Sequence, residues 1–316
     1  MRVLKSLLAP ALLAVLLSGC GGSTRVEPYA PNRMVVFGDE LSLIGTNGGK
    51  YSVNALQADG VTLDCTTYPV WPQVVADGYG MVFPECNPNA VTGAAGVMKA
   101  SVGAKVADVA AAVAAFQATS TFTPQTLVSI MAGQYDILAA YNAYGAGTLS
   151  RALALSQVSA AGKVLGALVN TVTNQGSGAR VLYSTPPNLA YAPFATAEVL
   201  RTGDADRATL LKELTLAFTA ALRLEVVNDG RYAALLTADE LTISMTDSTK
   251  MASYTLTNVV DPVCTTALPA CTTATMVAGA AGVGTAYLWA DAQHPSVSFH
   301  SRLGLAALNR ARNNPF

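Results

Sequence analysis

The stretch Phe37-Gly38-Asp39-Glu40-Leu41-Ser42 brings a glycine, two adjacent carboxylates and a hydroxyl together. Carboxylates move protons or attack as nucleophiles, and a hydroxyl attacks when a base stands beside it. The apolar residues Met34, Val35, Val36 and Phe37 run straight into this stretch, and Gly38 and Asp39 break the run. A short run that is apolar at every position and closed by turn residues predicts a buried parallel strand feeding a loop. In open α/β sheets, ligands bind at such loops, outside the C-terminal ends of the strands. Metal chemistry finds less material. The only histidines are His294 and His300 and there is no Cys-x-x-Cys pair, so no metal and no cofactor is expected.

Further elements must position that loop. Residues 97–101 predict a second short strand ending at Gly103. Residues 104–116 predict a helix with Val106, Val109, Val113 and Phe116 on one face. Residues 127–131 predict a third strand, ended by Ala132-Gly133, and a long helix follows at about 149–172. Short strands are expected at 181–183, 232–236 and 287–289. A helix carrying Leu210, Leu214, Phe218 and Leu222 is capped by Asp204 or Asp206, and a final helix by Ser296, with His300 on its surface. Trp71-Pro72 starts a short helix inside a long excursion over residues 45–89. Residues 241–284 read as irregular, and their Gly-Ala-Ala-Gly-Val-Gly run lacks the Lys-Ser/Thr of a phosphate-binding loop. Strands alternating with helices predict one α/β domain with a parallel sheet.

Four separated blocks resemble the SGNH/GDSL hydrolases, over nearly the whole chain after residue 32. The first is Gly38-Asp39-Glu40-Leu41-Ser42, with Glu40 where that family carries its nucleophilic serine. In the second, Gly103 is the candidate for the glycine whose N–H helps hold an oxyanion. The third, Gly-x-Asn-Asp in the family, reads Gly133-Gln134-Tyr135-Asp136, so Tyr135 replaces the oxyanion asparagine. The last, Asp-x-x-His, is intact as Asp291-Ala292-Gln293-His294. Three of the four follow predicted strands, which sets them at one end of one sheet. The resemblance implies a three-layer α/β/α fold with a flavodoxin-like parallel sheet.

It also implies acyl transfer on ester, lipid or acylated-glycan substrates, with His294 as base and Asp291 holding its tautomer. A carboxylate at position 40 repels an oxyanion and pairs with protonated His294, which raises the imidazole pKa and makes a poorer base. Catalysis is therefore expected to be impaired. Three rescues remain open: Ser42 as nucleophile, Glu40 itself as nucleophile or base, and Tyr135 as a phenolic oxyanion donor. Asp39 is grouped with Gly103 and Tyr135 as an oxyanion or substrate contact, with capping of the turn after the first strand as its plainer alternative. The competing expectation is a non-catalytic binding module for an envelope glycan or lipid.

Compartment is read from the N-terminus. Arg2 and Lys5 precede an apolar run at 7–17 that is shorter than the roughly 20 residues of a spanning helix. Leu17-Ser18-Gly19-Cys20 resembles a bacterial lipobox, which implies cleavage before Cys20 and its lipidation, and Gly21 resembles outer-membrane sorting. The expected organisation is a signal peptide at 1–19, a lipidated tether at 20–32 and the hydrolase-like domain at 33–316. An exported chain keeps disulfides. Cys65, Cys86, Cys264 and Cys271 allow three pairings, and local closure favours Cys65–Cys86 and Cys264–Cys271. Charged residues make up 12%, the net charge is −1 and no basic block stands out, so nucleic acid is not an expected partner.

Overall fold

The computed structural model describes residues 28–316 except 175, 176, 228, 281, 283, 314 and 315. The expected signal segment at 1–19 and Cys20 lie outside the described residues. β1 (Arg33–Gly38) is buried at every position from Met34 onward, which is why its sequence shows no alternation. The excursion after it carries the hairpin β2 (Ala55–Leu56) and β3 (Leu63–Asp64), then α1 (Trp71–Gly78). Next come β4 (Gly96–Met98), α2 (Val106–Thr119), β5 (Thr126–Met131), α3 (Gln134–Gly145), α4 (Arg151–Asn174) and β6 (Arg180–Ser184). The chain continues through α5 (Pro193–Thr202), α6 (Asp206–Glu225), β7 (Ala233–Leu236), α7 (Ala238–Thr246), β8 (Asn258–Pro262), β9 (Tyr287–Trp289) and α8 (Val297–Arg312).

The central sheet is parallel throughout, in the order β4-β1-β5-β6-β7. One helical layer joins α2, α3, α4 and α6, while α1 and α8 pack together as the other. This is the expected three-layer α/β/α arrangement. β1 sits between β4 and β5, so the loops after these three strands open side by side.

Both expected disulfides form, with Cα separations of 5.6 Å for Cys65–Cys86 and 5.7 Å for Cys264–Cys271. The first pins the excursion. There the fully buried Lys50 donates from Nζ to the carbonyl oxygens of Cys65, Thr67 and Tyr68 at 2.8 to 3.0 Å. Burial lowers its pKa to about 8, against the nearby Asp64 and Asp77 charges. Asn54 joins the excursion to the second disulfide loop, donating from Nδ2 to the carbonyls of Pro269 and Cys271 at 3.0 Å.

Several expectations need correction. β9 does not enter the main sheet: it pairs in parallel with β8, and Trp289 Nε1 donates to the Val259 carbonyl at 3.1 Å. A three-residue strand buried on both faces carries no pattern that names its partner. α3 and α5 occupy residues for which the sequence predicted no element, and β8 and most of α7 lie in the 241–284 stretch read as irregular. The second half of α7 carries Thr242, Ile243, Ser244 and Thr246, weak helix formers on their own, and burial of Thr242 and Met245 holds it in place. Ser296 stands at the N-cap of α8, yet its hydroxyl is buried without a partner. His300 is 1% exposed, not on the surface. It shares the inward face of α8 with Leu303, Ala307 and Ala311, a spacing already present in the sequence. Burial and the neighbouring Lys50 and His294 charges push its pKa down to about 3, so it stays neutral.

Candidate active site

The site begins where β1 stops. Gly38 has φ +147°, and a Cβ there would lie 2.3 Å from the Met131 carbonyl oxygen, so only glycine lets β1 leave the sheet so close to β5. The Asp39 N–H donates to that carbonyl at 3.2 Å. Asp39 then caps a single 3-10 turn over Glu40–Ser42, accepting the Leu41 N–H at 3.1 Å. The plainer role expected for Asp39 is the one its contacts show. Its second oxygen is buried with no partner. Burial, and then the charge on Glu40, raise its pKa to about 8, so Asp39 is protonated at neutral pH.

The turn buries Glu40 to 1% exposure. Three donors from three different segments converge on its carboxylate. The Gly103 N–H donates to Oε2 at 2.8 Å. The Tyr135 hydroxyl donates to Oε1, and His294 Nε2 lies 2.9 Å from the same oxygen. On the far side of the imidazole, Nδ1 lies 2.9 Å from each oxygen of Asp291. Asp291 Oδ1 also accepts the N–H groups of Gln293 and His294, at 2.8 and 2.7 Å. That tight turn after β9 holds the ring facing Glu40.

Tyr135 is aimed by Gly133, which opens α3 at φ +117°; a Cβ there would fall 2.4 Å from the Phe218 ring. The next carboxylate along, Asp136, accepts the Val106 N–H at 3.0 Å, where α2 begins just after Gly103. Asp136 thus locks the Gly103 loop to the head of α3, a positioning role that the sequence reading passed over although the residue closes the third block. Tyr51 was also missed: its ring stands 6.1 Å from that of His294, centroid to centroid. No spacing pattern links residue 51 to the blocks.

The charges follow from these bonds. Burial works against the Glu40 carboxylate, but the hydrogen bonds from His294, Tyr135 and Gly103 outweigh it and hold its pKa below the usual value. Burial likewise opposes the imidazolium, yet the bonds to Asp291 and Glu40 win and raise the His294 pKa to about 9. Asp291 is held low by its His294 bond, again against burial. Burial and the Glu40 bond raise the Tyr135 phenol, which stays protonated as a donor. At neutral pH the site is carboxylate, imidazolium, carboxylate. Both ring nitrogens of His294 carry protons, so neither can accept one.

The structure brings Glu40, Gly103, Tyr135, Asp291 and His294 into one network, with Asp39 beneath it. Ser42 is turned away. Its Oγ is fully buried and accepts the Trp71 Nε1–H at 3.1 Å, while both His294 nitrogens are taken elsewhere. Among the described residues, no group of three His, Cys, Asp or Glu side chains is placed to hold a metal ion.

This architecture is an SGNH-hydrolase-like α/β/α fold. The lipase Lip_vut3 from a goat rumen metagenome superposes with a TM-score of 0.50 at 11% identity, over 90% of this chain and 99% of that one. Phospholipase A1 from Streptomyces albidoflavus NA297 gives 0.47 at 16% identity, over 90% of this chain and 100% of that one. The acetylxylan esterase Axe2 from Geobacillus stearothermophilus gives 0.44 at 16% identity, over 90% and 95%. At such identities the likeness is one of fold. No family model and no curated protein matches the sequence.

Proposed function

We propose that this protein is an envelope-anchored SGNH-hydrolase-like domain whose cleft holds an ester, lipid or acylated-glycan ligand without hydrolysing it. One observation carries the reading. The Glu40 carboxylate lies 2.9 Å from His294 Nε2 and 2.8 Å from the Gly103 nitrogen, so one side chain occupies the base and an N–H donor together. It also stands at the position that the motif resemblance gives to a nucleophile. Glu40 is a weak nucleophile here, because its lone pairs are engaged and its pKa is held down. The ligand class rests on the fold and the motif resemblance, and the anchor on the lipobox-like Leu17-Ser18-Gly19-Cys20.

The test is turnover of short-chain p-nitrophenyl esters. Wild type should stay at background. Glu40→Ser should gain activity that His294→Ala removes, since a serine there frees the imidazole as base and the Gly103 N–H as donor. Wild-type turnover that depends on His294 would show the cleft to be an active hydrolase.

A further inference from the structure

Hydrogen-bond donors from three separated segments meet at one carboxylate: a backbone N–H from the loop before α2, a phenol from the first turn of α3 and an imidazole from the turn after β9. None of these segments is adjacent to Glu40 in sequence; the separations are 63, 95 and 254 residues. Any buried carboxylate needs donors; here they come from Gly103, Tyr135 and His294, the positions that the motif resemblance gives to oxyanion binding and the base. We propose that the cleft is a carboxylate-binding site, and that Glu40 is its ligand, supplied in cis by the turn after β1. The inference deepens the reading of a silent cleft and rests on it.

The chemistry fits a carboxylate better than other anions. The donors divide between the two oxygens of a planar group, one on Oε2 and two on Oε1. The imidazolium supplies the countercharge, and Asp291 behind it fixes that charge in place. A tethered ligand forgoes the translational cost that a free one meets, so small carboxylates in solution cannot displace it. Truncating the tether should therefore leave a vacant site for a short-chain carboxylate that the wild type lacks.

Acetate is the probe. It is titrated into wild type, Glu40→Ala and Glu40→Gln, with sodium chloride at equal ionic strength as control. Thermal unfolding and imidazole NMR provide the readouts. In Glu40→Ala, Tm should rise saturably with acetate, by about 3–6 °C at roughly a hundredfold excess over Kd. The His294 pKa, lowered by the truncation, should climb back as acetate fills the site. Wild type and Glu40→Gln should respond to acetate no more than to chloride, because a side chain still fills the space. A folded Glu40→Ala that ignores acetate overturns the proposal, as does wild type binding acetate equally well. If Glu40→Ala does not fold in plain buffer, the Gly103 amide proton decides: Glu40→Gln must move it upfield, and an unmoved resonance refutes a charged bond there. Ester turnover by wild type is a separate result. It would sink the silent cleft and leave the acetate response to be judged by itself.

Discussion

Replacing Glu40 by Gln should lower the pKa of His294, and the size of the fall follows from the bonds. The imidazole is held between Asp291, through Nδ1, and Glu40, through Nε2. A hydrogen bond to a charged group contributes about 1.5–3 kcal/mol, and 1.36 kcal/mol corresponds to one pKa unit. Glu40→Gln keeps the shape and removes the charge. A neutral amide also cannot accept on both sides, so either Gly103 or His294 faces an N–H. His294 should fall from about 9 by about one to two units, with Asp291 still holding it above 6.5. Imidazole 1H–15N spectra across pH 5 to 10 read this directly. The chain has only two histidines, and His300 stays neutral throughout that range, so one ring titrates against a silent reference. A wild-type His294 that titrates near 6.5, or one that Glu40→Gln leaves unmoved, refutes the ion-pair reasoning. The same shift acts on stability. The folded pKa is the higher one, so the native state holds an extra proton between 6.5 and about 9. The stabilisation is full below pH 6.5 and is lost as pH rises through 9, on the order of 3 kcal/mol. Asp39 adds in the same direction, since its proton is held from 3.8 up to about 8. Tm should therefore decline from pH 6.5 to 8, and less steeply in Glu40→Gln; above pH 8 the lowered pKa of Lys50 acts in the opposite direction.

Two substitutions test the scaffold. Gly133→Ala forces a methyl into the Phe218 ring at a positive φ, and should cost about 2–4 kcal/mol in urea unfolding; a loss below about 0.5 kcal/mol would mean α3 shifts freely. Lys50→Met leaves the carbonyls of Cys65, Thr67 and Tyr68 without their donor and should destabilise by about 2–5 kcal/mol, whereas unchanged stability would show that the buried cation is dispensable.

Much of this was legible because the sheet is buried on both faces. Apolar runs at 34–37 and 181–183, and one broken only by Ser129 at 127–131, marked β1, β6 and β5, and the first and third blocks came off the ends of the first and last of these. Glu40 and His294 could be paired in advance because a carboxylate at a nucleophile position must face the base. What the sequence hid was partner choice. Three-residue β9 pairs with β8, whose own segment, Asn258-Val259-Val260-Asp261-Pro262, reads equally well as loop. α3 carries Ile137, Leu138 and Tyr141 at helical spacing, but Gly133 and the block it opens read as turn material. His300 was misplaced because polarity was weighed above its position on the face of α8. The capping of α2 by Asp136 comes from two loops meeting, which no local pattern records.

The contact between Glu40 and His294 closes a loop of 254 residues. Joining points so far apart brings little reward until most of the chain between them is in place, because the entropy of closure must be met first. The pair is therefore expected to form late in folding, so that its loss should change the unfolding rate more than the folding rate. In this protein the candidate site doubles as a clasp: the ionic bond at its centre also fastens the turn after β1 to the turn that leads into α8.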